Sequence, residues 1–264
     1  MKTKPYALEN ESEFERLEYQ SSLPEYDFRR ELKDLSAPAN ANILDAGCGS
    51  GIVTRYLAKL YPTATVTGCD ASVERIVQTK VASAGISNIR LQVEDCSKLT
   101  FADRSFDAIV CRYVLQHIPR GRVGDLLSEF ARVLKVGGTI QLIDADGILV
   151  NLYPQPPEVA QDLARLEAKC PVDLHSGRKI PSLLHGAGFS DLRVRTEAIA
   201  FTGPALEHEV ALMGVRLESA LPMLSEILGG ELAARRFRQQ YLAALQAPGS
   251  FYFHTMFIGS AKKR

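Results

Sequence analysis

The stretch "NILDAGCGSGI" (residues 42–52) does most to narrow the folds open to this chain. An apolar run ends at a carboxylate, Asp45, and three glycines follow within five positions: Gly47, Gly49 and Gly51. Beyond them Val53, Tyr56, Leu57 and Leu60 recur at the spacing of one helix face. A buried strand therefore turns sharply into a helix, with backbone N–H groups aimed into the crevice between them. At ordinary glycine usage this glycine spacing arises by chance roughly one time in ten in a chain this long, and Asp45 lowers that to roughly one in two hundred. The turn reads as a ligand cradle.

Its spacing bears on which ligand. A dinucleotide site sets its glycines as GxGxxG, so that a pyrophosphate rests on the helix N-terminus. Here the pattern is GxGxG, with Asp45 two residues ahead. A carboxylate in that place repels a pyrophosphate and suits a ligand with a cationic end.

The alternation continues along the chain. "ATVTGCD" (64–70) is a second apolar run; Ser72 is placed to cap the helical stripe Val73, Ile76, Val77 and Val81, which Gly85 closes. "NIRLQVEDC" (88–96) and "SFDAIVCRYV" (105–114) read as the third and fourth strands. Leu126, Leu127, Phe130, Val133 and Leu134 mark a helix expected to stop at Gly137-Gly138, before a fifth strand "TIQLID" (139–144). Strands with continuous apolar runs, alternating with helices, form a parallel sheet covered on both faces.

After residue 145 the rhythm changes. A short helix is expected near Glu158–Lys169 and another in "SGRKIPSLLHGAGF", leading to a sixth strand "DLRVRTEAIAF". Residues 205–247 read as two or three helices broken at Pro222 and Gly229-Gly230, and "SFYFHTMFIGSA" (250–261) as a last strand. The first 36 residues read as helical and amphipathic, ahead of the linker "SAPANA".

Lys+Arg and Asp+Glu balance at 31 each, so no bulk field draws the chain to nucleic acid or an anionic membrane. The N-terminus lacks the apolar core of a signal peptide and is too acidic for a transit peptide. No run of about 18 apolar residues is present to span a membrane. Five cysteines without CxxC or zinc-ligand spacing point to reduced thiols in a cytoplasm and to no metal site.

Taken together, "ILDAGCGSG", "GCD" with Asp70, "VEDCSKL" with Asp95, "FDAIVCRYVLQHI" and "ARVLKVGGTIQLID" resemble the core of the class I S-adenosylmethionine-dependent methyltransferases. Within that superfamily they are similar to the small-molecule branch that includes the ubiquinone/menaquinone-biosynthesis methyltransferases. The resemblance implies an α/β, Rossmann-like, seven-stranded, mostly parallel sheet with an antiparallel last strand, plus a helical cap. Residues 1–36 would form that cap and 37–146 the cofactor-binding core. Residues 147–264 would complete the core and add helical acceptor-binding insertions. The resemblance also implies the site residues. Asp45 with the Gly47/Cys48/Gly49 backbone would hold the methionine end of S-adenosylmethionine. Asp70 would accept from the ribose hydroxyls, Ala71 would touch the adenine, and Asp95 with Cys96 would meet the adenine amino group. Arg112 would present its backbone to the methionine moiety, and Tyr19 with Gln20 would reach the methionine carboxylate.

Methyl transfer from a sulfonium is an in-line substitution, which needs alignment and exclusion of water, and a base only when the nucleophile is protonated. His117, a few residues past the fourth strand, is the candidate base; His175, His185, His208 and His254 are further ones. Met213, Leu217, Leu221 and Met223 are candidates to line an apolar acceptor cavity. "CRYV" stands where amino-methylating DNA and glutamine enzymes carry [DNS]PPY, and no Pro-Cys dipeptide occurs. A small organic molecule remains as the expected acceptor, with O-, N- and C-methylation open. A non-catalytic cofactor-binding subunit and an NAD-dependent oxidoreductase are the alternatives from other classes.

Overall fold

The computed structural model describes residues 12–264. Its strands are β1 (Asn42–Ala46), β2 (Thr65–Asp70), β3 (Ile89–Val93), β4 (Phe106–Arg112), β5 (Leu134–Asp146), β6 (Leu152–Tyr153), β7 (Ser190–Phe201) and β8 (Phe251–Lys262). One sheet runs in the order β3-β2-β1-β4-β5-β8-β6, with β7 also on β8. The first five strands are parallel, and β8 is antiparallel to β5, β6 and β7. Tyr252 is matched with both Leu152 and Phe201, so β6 and β7 flank β8 on opposite sides. The described residues therefore hold eight strands where seven were expected. The extra one is the two-residue β6, too short for any periodicity to announce it.

Helices α3 (Ile52–Leu60), α4 (Val73–Ala82), α5 (Val123–Val133) and α7 (Ile180–Gly186) cover the sheet. Two cores result, one on each face. Leu44, Ile109, Leu142 and Phe130 belong to the first, and Ile43, Val110, Ile143 and Leu57 to the second. Fully apolar strands are what this layering requires, since both faces of β1, β4 and β5 are buried.

A third core lies under the later helices α6 (Pro157–Lys169), α8 (Pro204–Ser219), α9 (Leu221–Leu228) and α10 (Glu231–Gln246). The expected break at Pro222 falls between α8 and α9, with Pro222 in the first turn of α9, and Gly229-Gly230 separates α9 from α10. The N-terminal segment is helical in α1 (Glu13–Ser22) and α2 (Phe28–Glu31). The part of the cap assigned to residues 1–11 lies outside the described residues.

The fourth strand ends at Arg112, short of the expected residue 114, and two other boundaries that differ from expectation have a clear physical cause. The α5 helix ends at Val133, and β5 begins at Leu134, because Leu134 pairs with Phe106 of β4 and both side chains are buried. Sheet pairing captured a residue that continued the helical stripe. The two glycines sit inside β5 instead, where the register with β4 shifts and a Cβ on Gly138 would lie 2.9 Å from the Asp107 carbonyl oxygen. The third strand stops at Val93, because Glu94 turns inward to accept from Thr100. Among the described residues no helix is long and apolar enough to cross a membrane.

Candidate functional site

The glycine turn closes on the neighbouring strand. Gly47 N and Cys48 N both donate to the Cys69 carbonyl at 2.8 Å, which fixes the end of β1 to the end of β2. Gly47 has φ +74°, and a Cβ there would lie 2.3 Å from Val114 Cγ2; Gly51, at φ +75°, would meet Thr79 Cγ2 at the same distance. No L side chain fits either place without displacing its neighbour. The glycines thus bring bare backbone to the mouth of the crevice.

Two carboxylates frame it. Asp45 is buried, and its Oδ2 accepts from Thr54 Oγ1 at 2.6 Å. Burial pushes its carboxyl up to about 6, helped by Asp70 and opposed by Thr54 and Arg112. Asp70 Oδ2 accepts from Gly49 N at 3.0 Å and Oδ1 from Ser72 N at 2.9 Å. Each oxygen keeps a further lone pair for a hydroxyl donor. Ser72 caps α4 by accepting from Arg75 N, as its position implied.

Asp95 follows β3 in a tight turn, where Oδ1 accepts from Ser97 and Oδ2 from Arg122 at 3.2 Å. Burial works against its charge, but the Ser97 bonds and Arg122 outweigh that and lower its pKa. Ala71 is exposed beside Asp70, and Cys96 is buried beside Asp95. The thiols of Cys48, Cys69, Cys96 and Cys111 are all buried at these strand ends. Burial pushes the Cys48 and Cys111 thiols up, and a bond with Cys96, together with burial, does the same at Cys69, so these three stay protonated. Among the described residues no group of three or more His, Cys, Asp or Glu is arranged to hold a metal ion.

Helix α1 lies across the turn. Leu17 Cδ1 is 3.2 Å from where a Gly49 Cβ would be, and Glu18 pairs with Arg55 of α3 at 2.7 and 2.8 Å. Tyr19 is exposed on α1, while Gln20 is buried and accepts from Arg16 at 2.6 Å and Arg216 at 3.0 Å. Arg112, at the end of β4, turns its side chain toward α2, where Glu31 takes Nε at 2.5 Å and Nη2 at 3.0 Å. Its guanidinium also lies 4.4 Å from the Tyr113 ring centroid. Tyr113 itself has φ +57°, uncommon for a bulky residue, and its Oη donates to Met256 Sδ at 3.1 Å. His117 is half-buried, and desolvation of its ring together with Arg75 and Arg16 lowers its pKa to about 3.

Sequence reading did not foresee a polar cluster at the cap. Tyr26 Oη donates to Glu209 Oε2 at 2.5 Å, and Arg216 Nη1 donates to Glu209 Oε1 at 2.8 Å. Arg216 Nη2 reaches Tyr26 Oη at 3.1 Å as well as Gln20. One signal was available: Glu209 and Arg216 stand seven residues apart on the α8 face that also buries Leu212, Met213 and Leu217. Two opposite charges on an apolar face call for a buried pair.

The topology and this crevice define an α/β protein whose ligand site lies at the carboxyl ends of its parallel strands. Comparison with known proteins makes the class specific. Residues 43–138 match the family model described as a methyltransferase domain. The ubiquinone/menaquinone biosynthesis C-methyltransferase of Desulfotalea psychrophila is 31% identical over 173 residues, which cover 60% of this chain and 69% of that protein. The demethylmenaquinone methyltransferase of Staphylococcus aureus is 32% identical over 128 residues, 48% of this chain. The chain spans about half, 52%, of the length of that relative. Among solved structures, geranyl diphosphate C-methyltransferase from Streptomyces coelicolor A3(2) shares the fold, with TM-score 0.56 and 17% identity over 98% of this chain and 87% of that one.

The chain belongs to the class I S-adenosylmethionine-dependent methyltransferases, in the small-molecule branch. Its cofactor is S-adenosylmethionine, and neither the oxidoreductase nor the non-catalytic reading is favoured.

Proposed function

We propose that this chain transfers a methyl group to a small organic acceptor seated between the carboxyl end of β4 and the cap that includes α1 and α8. The observation that carries the reading is the paired geometry of Asp45 and Asp70 around a turn that excludes side chains. The donor set suits the cofactor. Asp45 and the Gly47–Gly49 backbone would face its cationic amino-acid end, and Asp70 its ribose hydroxyls. Ala71, Asp95 and Cys96 line the adenine end in this reading, and the Arg112 backbone the amino-acid end. When bound, S-adenosylmethionine supplies an already activated methyl group.

The chain's own part is to align and to exclude water. Leu17 over Gly49 and the Glu18–Arg55 pair support α1 as the cover of the cofactor, with Tyr19 near its outer edge. His117 stays the proposed group nearest the transfer. With a pKa near 3 it is neutral at working pH, which favours a role as hydrogen-bonding partner of the acceptor over that of proton store. Residues 12–36 and 203–247 would then act as the acceptor cap, and residues 37–146 as the cofactor half. The test is transfer of isotope-labelled methyl from S-adenosylmethionine into a metabolite extract. Labelled small molecules are expected; label only in macromolecules, or none, refutes the proposal.

A further inference from the structure

The two edges of the sheet differ in length and protection. At one end the edge strand is β3, five residues long. At the other it is β7, twelve residues long, "SDLRVRTEAIAF", with neither lysine nor proline. A short strand, a lysine or a proline is the usual means of keeping an edge from pairing. β7 has only a shift of register at its start, between Ser190 and Arg193. No described strand lies beyond it.

The hydrogen bonds of β8 tell which groups of β7 face outward. Phe253 N donates to Asn151 O at 3.3 Å and Lys263 N to Gly138 O at 3.0 Å, on the side of β6 and β5. Odd-numbered residues of β8 therefore bond that side, and even-numbered ones bond β7. Met256 stands opposite Glu197, and Ile258 opposite Arg195. Arg195 and Glu197 thus bond β8, whereas Val194, Thr196 and Ala198 point their N–H and C=O groups away from the sheet. All three are exposed, Val194 to 42%. An open ladder of this kind is a template for another strand.

The charges choose that strand. When a second copy of β7 pairs antiparallel about a two-fold axis through Thr196, Val194 of each copy lies opposite Ala198 of the other, and Arg195 opposite Glu197. A guanidinium meets a carboxylate twice. Within one chain Arg195 already donates to Glu197, so the two side chains share a face of the strand and reach each other. An axis one residue earlier sets Arg195 against Arg195, and one residue later Glu197 against Glu197. Of these three registers, only the one through Thr196 opposes no like charges.

We propose that β7 is the contact of a homodimer, in which two copies join edge to edge into one continuous sheet. About six backbone hydrogen bonds centred on Thr196 close it, two for each outward-facing pair. The dimer is a property of the fold and does not depend on the transfer reaction.

The experiment is sedimentation equilibrium of the full chain at about 1–100 μM, the range that reads a micromolar dissociation constant. The wild type is expected to approach twice the mass of one chain. Glu197→Arg turns both attractive cross-strand pairs into repulsive ones and is expected to raise the dissociation constant at least about tenfold. Thr196→Lys sets two ammonium groups together on the axis, at a position exposed in the single chain, and is expected to raise it about fivefold. Circular dichroism checks that each variant is folded. Register is read by cross-linking with oxidised glutathione. Thr196→Cys is expected to give a disulfide-linked dimer, because paired Cα atoms lie about 5.5 Å apart across such a ladder. Ala200→Cys is expected to give none beyond the wild-type background, since its two copies stand about 27 Å apart, eight residues at about 3.4 Å each. A wild type that stays monomeric up to about 100 μM overturns the proposal and leaves the edge to a strand of another protein. A dimer that either folded variant leaves intact overturns it, as does cross-linking of Ala200→Cys as readily as Thr196→Cys.

Discussion

At the glycine turn, the bonds that shape the site run through backbone N–H groups, as when Gly49 N reaches Asp70 across 21 residues. At the cap they join side chains: Tyr26 to Glu209 across 183 residues, and Arg216 to Gln20 across 196. The first region needs glycine and a carboxylate at fixed spacing, and little else. The second needs polar groups from α1 and the following turn to meet a charged pair of α8 inside an apolar core. One is set by the path of the chain, the other by packing. On the proposed reading, the backbone cradle serves a shared cofactor, while the side chains of the cap choose the acceptor.

The largest effect that tests this contrast is expected at Glu209. Replacing Glu209 by Ala leaves Arg216 without its counter-charge, and Arg216 keeps only 18% of its side-chain exposure. Urea unfolding is expected to show a loss of about 3 kcal/mol, the low end for a broken buried pair. Affinity for S-adenosylmethionine is expected to change little. Equal losses in both would mean the two regions are not separate.

Asp70→Ala reverses the pattern. It is expected to weaken cofactor binding by about 1–3 kcal/mol through lost charge-assisted bonds, measured by calorimetry. An unchanged affinity removes Asp70 from the site.

Asp45 sharpens the comparison through pH. Its pKa in the free protein is raised to about 6, so it is protonated below that value. A ligand with a cationic end binds the ionised form, and binding must then expel a proton. Affinity for S-adenosylmethionine is expected to be constant above about pH 7 and to fall about tenfold at pH 5. In Asp45→Asn the curve is expected to lose this step; an unchanged step assigns it to another group, with buried Asp144, raised to about 7, the next candidate.

The smallest effect concerns α1. Glu18 and Arg55 retain 34% and 15% of their side-chain exposure, so Glu18→Ala is expected to cost less than about 1 kcal/mol of stability by urea unfolding. A larger loss would mean that α1 belongs to the cofactor half and not to the cap.

The order of strands and helices from residue 42 to 146 was legible because each element there carries its own periodicity and its own stop signal. The errors came where sheet pairing competed with helix pattern, as at Leu134, or where a strand was two residues long, as at β6. The helical region after residue 203 was scarcely legible. Met213 and Leu217, candidates for cavity lining or core packing, are buried in the third core, and the Glu209–Arg216–Tyr26 cluster beside them carried little sequence signal.

The sequence by itself determined the parallel sheet, the glycine bend and the placement of Asp45 and Asp70, because these depend on residues a few positions apart and on backbone conformation. Only the tertiary structure decided which charges neutralise one another inside the cap, and that His254 is enclosed without a partner for Nε2. Burial and pairing are properties of what surrounds a residue, and those neighbours come from segments up to about two hundred positions away.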